Sequence, residues 1–329
     1  MKNLIEYRAL RFCLLALGMA GPALAQAEAL SAESCSSTPA TLSPLFRAVL
    51  ARDEAAALRQ FDNGADLREC VSEREVMQLA EPGKRISYVG KPDPGYPLAV
   101  LLAVADMPKA LAALGQRQPG QLHARDPHGN TALAWAARLF HAEVVKVLLR
   151  QGLDPLQASD EKETPLSLIM KSREKSTQKT ETVAVLIAAV PRERFSSIGV
   201  IDQVWMAAYM EDFDVMKVLL EAGVPPHYVA IQGRTALLSA VEAGKLEAVR
   251  LLLARGARVS TYPYRGKTVF QYAEGNLEKG KPDAAEIHRL MEIERGKLVQ
   301  LGHNPPGTSP RDWNSPEGLE RMRLLQTQK

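Results

Sequence analysis

Residues 131–152, TALAWAARLFHAEVVKVLLRQG, decide the fold, because residues 235–256 repeat their pattern as TALLSAVEAGKLEAVRLLLARG. Both stretches begin with a threonine that can cap a helix, continue through small apolar residues and end in a glycine. In the first stretch, Val145, Leu148 and Leu149 have the i, i+3, i+4 spacing of an apolar helix face. Each stretch therefore predicts two short helices joined by a turn.

The pattern recurs with a fixed period along the chain. Thr131 and Thr164 are 33 residues apart, and so are Thr235 and Thr268. A single copy cannot bury its apolar faces alone, so neighbouring copies must stack into a continuous core. Including weaker copies, we predict seven units, at residues 41–70, 95–124, 127–159, 160–197, 198–230, 231–263 and 264–297.

This period, and openings such as Thr164-Pro165-Leu166, resemble the ankyrin-repeat family over about residues 41–297. The resemblance implies an all-α ankyrin-repeat solenoid of about seven helix-turn-helix units with short β-hairpin-like loops. The histidine that follows Thr-Pro-Leu in the family is replaced in every unit, so we expect stability to depend more on apolar packing. Insertions at residues 71–94 and 171–180 are expected to form irregular turns and a solvated loop.

The first 25 residues have the pattern of a secretory signal peptide. Three basic residues precede an apolar run, residues 12–25, which ends in the small-x-small sequence Ala23-Leu24-Ala25. The run is shorter than the ~20 residues that span a bilayer. We expect cleavage near Ala25, a periplasmic product and no later membrane span. The alternative is a single membrane anchor. Residues 26–40 would form an N-terminal segment, and residues 298–329 a C-terminal cap or tail.

Two cysteines, Cys35 and Cys70, remain after removal of the signal. An exported protein with an even number of cysteines usually oxidises them, so we expect a disulfide. In the chain-entropy model such a loop is worth about 3 to 4 kcal/mol. The alternative is two buried thiols.

Charge and motif content argue against nucleic-acid binding and catalysis. The chain has 41 Lys and Arg against 38 Asp and Glu, a near-neutral balance with no electrostatic footprint for phosphate backbones. Residues 275–282 nearly match a phosphate-binding loop but lack its hydroxyl and the strand before it. We therefore expect no enzyme, no cofactor and no metal site. The histidines are interpreted as surface residues; they are His123, His128, His141, His227, His288 and His303.

A protein-binding surface is the remaining expectation. In an ankyrin stack, the hairpin tips and the exposed side of the inner helices form a concave face, where aromatic and Met side chains are typical of binding hot spots. The inner-helix candidates are Trp135, Arg138, Leu139, Met206, Tyr209, Met210 and Glu242. The hairpin-tip candidates are Arg125, His128, Glu161, Lys162, Tyr228, Gln232, Tyr262, Tyr264 and Arg265. The alternative for Trp135 and Tyr209 is packing between neighbouring units.

A secretion signal combined with ankyrin repeats resembles periplasmic immunity proteins that neutralise antibacterial effectors of type VI secretion, especially phospholipases. This resemblance implies a lipase-like effector as the partner, blocked by the concave face. The chain also resembles periplasmic ankyrin proteins linked to catalase and peroxide resistance. A general periplasmic scaffold is the third interpretation.

Overall fold

The computed structural model describes residues 42–67, 70–80, 95–197, 199–230, 234–259 and 267–300. The predicted signal peptide, the segment at residues 26–40 and the tail beyond residue 300 lie outside these ranges. Within them the chain forms fifteen α-helices and one two-stranded antiparallel sheet. The helices follow one another along the chain as seven pairs, with one additional helix after the first pair.

The first compact unit, which extends to Ser172, contains eight of the helices and the small sheet. Strands β1 (Cys70–Val71) and β2 (Tyr96–Pro97) pair with Cys70 opposite Pro97. A short 3-10 helix covers Pro119–His123. The helices are α1 (Pro44–Leu50), α2 (Glu54–Asp62), α3 (Glu73–Ala80), α4 (Leu98–Val104), α5 (Pro108–Arg117), α6 (Ala132–Arg138), α7 (Ala142–Arg150) and α8 (Pro165–Lys171).

The second compact unit begins at Arg173 and contains the other seven helices. A 3-10 turn covers Arg192–Arg194. The helices are α9 (Thr177–Ala189), α10 (Ile201–Tyr209), α11 (Phe213–Ala222), α12 (Ala236–Ala243), α13 (Leu246–Ala254), α14 (Val269–Glu278) and α15 (Ala284–Gln300).

The repeated threonines start the first helix of their pairs, as their position in the sequence predicts. Thr131 Oγ1 accepts a hydrogen bond from the backbone N–H of Ala134 at 3.3 Å, and Thr235 does the same for Leu238 at 3.2 Å. Such a cap satisfies a backbone donor that has no partner within the helix. At Thr268 the cap is reciprocal, because the Gln271 side chain accepts from the Thr268 backbone N–H.

The first helices of successive pairs pack closely against one another. All seven residues of α4 are buried, and in α6 the residues from Ala132 to Ala137 are buried. Helix α4 packs on α6 and α6 on α8 in the first unit, while α10 packs on α12 and α12 on α14 in the second. Each unit thus has one continuous core along its row of first helices.

Hydrogen bonds from side chains also join neighbouring pairs. His141 Nδ1 lies 2.9 Å from the Ala103 carbonyl oxygen near the end of α4, and Asn276 Nδ2 donates to the Val241 carbonyl in α12 at 2.6 Å. Both bonds involve carbonyl groups near the C-terminal end of a helix in the preceding pair. The expectation that packing dominates is therefore incomplete, because polar side chains at other positions connect the repeats. Asn276 lies in residues 275–282, the stretch that nearly matches a phosphate-binding loop. In the structure these residues form the end of α14 and the turn after it.

Both predicted insertions contain more helix than expected. In residues 71–94, α3 occupies Glu73–Ala80, and residues 81–94 lie outside the described ranges. In residues 171–180, Ser176 caps α9, so only residues 172–176 separate α8 from α9 along the chain. The prediction of a solvated loop is wrong at Lys179, whose side chain is 1% exposed.

Lys179 is buried because it forms an ion pair with Asp212, just before α11. Lys179 Nζ lies 2.8 Å from Asp212 Oδ2, and the Asp212 side chain is 5% exposed. Asp212 Oδ1 also accepts from the Val215 backbone N–H and caps α11. The Asp212 side chain thereby links α9 to the start of α11.

Cys70, on β1, is buried and disulfide-bonded. Its expected partner, Cys35, lies outside the described residues, so the Cys35–Cys70 pairing stays a prediction. None of the helices in the described ranges combines the length and apolar character needed to cross a bilayer.

We predict that Lys179→Met lowers the free energy of unfolding by about 3 to 5 kcal/mol, because it leaves the Asp212 carboxylate buried without its counter-charge. Adding Asp212→Asn should recover most of the loss, since asparagine caps helices well and carries no charge. Lys146→Met, which removes an exposed pair with Glu143, should change stability by less than about 0.5 kcal/mol. Urea denaturation followed by circular dichroism measures all three; equal effects of the two lysine substitutions would contradict the prediction.

Candidate functional site

Helices α10 and α12 lie side by side in the second unit and hold its candidate site. Before α12 the chain makes a narrow hairpin, in which Val229 and Thr235 form an antiparallel bridge. The Ala230 backbone N–H donates to the Arg234 carbonyl at 2.8 Å within this hairpin. Arg234 is therefore fixed immediately before the threonine cap of α12, beside the exposed edge of α10.

Five side chains from these elements form what we term the aromatic–arginine cluster. Trp205 and Tyr209 are one turn apart on α10, and their rings stack with centroids 5.5 Å apart and an interplanar angle of 12°. The Arg234 guanidinium carbon lies 4.5 Å from the centroid of the Tyr209 ring. Arg234 also donates to Ser239 Oγ at 3.1 Å and to Glu242 Oε2 at 2.6 Å.

Contacts on the face and on the edge of the Arg234 guanidinium hold the cluster in place. One face of Arg234 meets the Tyr209 ring, and its edge is held by Glu242 through a charge-assisted hydrogen bond. The Arg234 side chain is only 14% exposed, so this pair is more shielded from solvent than an ordinary surface ion pair. The rings and the carboxylate therefore hold each other in one arrangement before any partner binds.

The solvent-facing part of the cluster is aromatic. Tyr209 is 47% exposed, and Met206 and Met210 beside it on α10 are partly exposed. The indole nitrogen of Trp205 is buried and has no hydrogen-bond partner among the described residues. Exposed aromatic and thioether groups next to an ordered arginine offer apolar contact area and hydrogen-bonding atoms, a combination suited to binding another protein.

Trp135 does not occupy the exposed position expected of a binding anchor. Its side chain is 4% exposed, its ring meets Tyr96 edge-on at 6.3 Å, and its indole N–H donates to Asp126 Oδ2 at 2.8 Å. For Trp135 the structure agrees with the alternative, packing between neighbouring units, because Tyr96 of the preceding unit meets its ring and Asp126, in the preceding hairpin, provides the buried partner that an indole N–H requires. Trp135 therefore has a structural role in the first unit.

Asp126 also fixes the hairpin tip around it. Its Oδ1 accepts from the backbone N–H groups of His128 and Asn130, both at 2.8 Å. Arg125 donates to the Gly129 carbonyl at 2.8 Å and to the Ala158 carbonyl, in the next hairpin, at 3.0 Å. The Arg125 guanidinium is thus used to join two repeats and is less available for a partner than expected.

The other predicted site residues fall into three groups. Arg138, which lies over the Trp135 ring at 5.3 Å, and the hairpin-tip residues His128, Glu161 and Lys162 are exposed. Leu139 and Tyr228 are half-buried. Those outside the described ranges are Gln232, Tyr262, Tyr264 and Arg265.

The two largest members of the cluster that were not predicted from the sequence are Trp205 and Arg234. Trp205 occupies the position of the family histidine, and this position is not among those predicted for the concave face. The i, i+4 spacing of Trp205 and Tyr209 nevertheless indicates that the two side chains share one face of a helix. Arg234 directly precedes the Thr235 cap, and its placement depends on the hairpin, which the spacing of residues does not determine.

One grouping of potential metal ligands was also missed. Glu274 on α14 and His288 and Glu292 on α15 place a ligand atom each within 4.8 Å of one another. The i, i+4 spacing of His288 and Glu292 indicates that these two side chains share one face of a helix. Glu274 is brought to them only by the packing of α14 on α15.

Comparisons with known proteins agree with this architecture. Residues 128–160 match the family model described as "Ankyrin repeat", and residues 204–253 match the model described as "Ankyrin repeats (many copies)". The ankyrin repeat domain of Bcl-3, described as a unique member of the IkappaB protein family, is 21% identical, with 70% of this chain and 93% of that domain covered and a TM-score of 0.50. The predicted fold class, an all-α ankyrin-repeat fold, is confirmed.

Two further solved structures are similar at lower TM-scores. The human ASB11 ankyrin repeat domain is 17% identical, with coverage of 70% of this chain and 91% of that one and a TM-score of 0.48. The ankyrin repeat protein EF0377 is 26% identical, with coverage of 59% and 96% and a TM-score of 0.47. No curated protein matches the chain significantly.

We predict that Trp135→Ala lowers the free energy of unfolding by about 3 to 5 kcal/mol, because it opens a cavity and removes the donor to Asp126. Tyr209→Ala should cost only about 1 kcal/mol, the value of its ring contacts at a half-exposed position. Urea denaturation compares the two variants directly. A larger loss for Tyr209→Ala than for Trp135→Ala would contradict the assignment of Trp135 to the core and Tyr209 to the surface.

Proposed function

We propose that this chain, with its ankyrin-repeat fold, is an exported protein-binding module that recognises a folded partner through the aromatic–arginine cluster. Ankyrin repeats imply a protein-binding role in general terms. The observation that carries the specific site is the exposed Tyr209 ring, held in place by Trp205 and Arg234.

Preorganisation is the reason to choose this surface over the hairpin tips. Tyrosine gives a large contact area with few torsions to immobilise, and here its ring orientation is already fixed by stacking on both neighbours. Tyr and Arg are also enriched among residues that dominate binding energy. Met206 and Met210 supply adaptable apolar contacts around this anchor.

The partner that we propose is a lipase-like antibacterial effector of type VI secretion, met in the periplasm. The support is the signal-like N-terminus together with the repeat fold. Inhibition would be steric: the cluster covers the mouth of the effector's active site, and no chemistry by this chain is needed. An inhibitor of this kind needs tight binding, with a Kd of about 1 nM, equivalent to about 12 kcal/mol.

Co-purification tests the identity of the partner. The tagged chain from Gln26 onward is expressed in the periplasm, recovered at low salt, and its bound proteins are identified by mass spectrometry. A stoichiometric lipase-like protein supports the immunity role. Catalase in its place contradicts that role and favours the peroxide-resistance interpretation, which also predicts a deletion strain that is sensitive to peroxide and indifferent to competitor cells.

We predict that Tyr209→Ala and Arg234→Gln each weaken the affinity for the captured partner by about 2 kcal/mol or more, roughly thirtyfold, because each removes part of the ordered anchor. Ile293→Ala is the matched control, since Ile293 is an exposed apolar residue on α15. Isothermal titration calorimetry measures the three variants against the unchanged chain. If Tyr209→Ala binds as tightly as the unchanged chain, the binding surface lies elsewhere.

A further inference from the structure

The last helix pair brings together three side chains of the kinds that bind transition metals. His288 and Glu292 lie one turn apart on α15, so they share a face of the helix, and Glu274 reaches them from α14. One nitrogen and two carboxylate oxygens all lie within 4.8 Å of one another. The three residues come from two helices that pack against each other and not from one acidic run.

The distances fit a metal ion after small side-chain movements. Zinc binds histidine nitrogen and carboxylate oxygen at about 2.0 to 2.2 Å, which places neighbouring tetrahedral ligands roughly 3.4 Å apart. The present ligand atoms therefore need to approach by at most about 1.4 Å. Rotation about the glutamate side-chain bonds can supply this, because these side chains are only partly buried.

A cationic side chain already contacts both carboxylates of this group. Arg295 lies 3.4 Å from Glu274 Oε1 and 3.3 Å from Glu292 Oε1, so a single guanidinium joins the two carboxylates across the helices. The same guanidinium lies 4.6 Å from the centroid of the Phe270 ring. The arrangement favours positive charge between α14 and α15, and Arg295 can keep its contact with Phe270 if a metal ion replaces it at the carboxylates.

We propose that Glu274, His288 and Glu292 form a binding site for a divalent first-row transition-metal ion, which clips α14 to α15. Three protein ligands of this mixed nitrogen and oxygen type suit Zn²⁺ and its neighbours better than Mg²⁺ or Ca²⁺, which prefer all-oxygen ligands. Arg295 competes with the ion for the two carboxylates.

The nearby Glu286 is not part of the site. Hydrogen bonds from Arg289, and then from Arg250 on α13, lower the pKa of Glu286 to about 2. Its carboxylate is thus engaged by two arginines and is not one of the three grouped ligands.

The test uses ZnCl₂ as the probe and the chain from Gln26 onward, with isothermal titration calorimetry and thermal unfolding followed by circular dichroism. We expect one zinc ion per chain and a rise in the unfolding midpoint that EDTA reverses. His288→Ala and Glu274→Gln should each lower the affinity at least about tenfold. Arg295→Gln should raise it at least about threefold, because a competing ion pair is removed.

His227→Ala is the matched control, since His227 is an exposed histidine in the turn after α11. It should leave the affinity unchanged, and spectra recorded in EDTA establish that every variant is folded. Failure to bind zinc, unchanged affinity in both His288→Ala and Glu274→Gln, or weaker binding by Arg295→Gln would each overturn the proposal. The result is independent of the proposed partner, which is tested at Tyr209 and Arg234.

Discussion

Close packing between the first helices of successive repeats is the constraint on which the rest of the structure depends. Helices α4 and α6 are buried along almost their whole length, because neighbouring helices cover apolar side chains on nearly every face of each. A helix enclosed in this way can offer a partner only one narrow edge. In the second unit that edge carries Trp205 and Tyr209, which is why the candidate site consists of a few large side chains and not a broad patch.

Polar groups buried beside this packing determine how successive repeats are joined. Arg125 joins its hairpin to the next one through the Ala158 carbonyl, while the buried pair of Lys179 and Asp212 connects α9 to α11. These contacts are specific to their own repeats, so each junction has its own chemistry although the helices follow a common pattern.

The sequence was sufficient for features that depend on local signals. The repeat period and the threonine caps predicted the paired helices, since a cap such as Thr235 acts on a backbone group within its own first turn. The exposure of individual side chains was harder to predict from the sequence. The burial of Trp135, for example, depends on Asp126 and Tyr96, which lie outside its helix. The burial of Lys179 is hidden from local patterns for the same reason: its partner, Asp212, belongs to the start of another helix.

The pairing of Arg234 with Glu242 has a consequence for how quickly a partner could be captured. Because the guanidinium is neutralised by its own neighbour, the cluster presents little unbalanced charge to attract an approaching protein from a distance. Without such steering, association proceeds at the ordinary rate of about 10⁵ to 10⁶ M⁻¹s⁻¹. Tight binding through this surface would therefore have to arise from slow dissociation, so the lifetime of the complex would set its affinity.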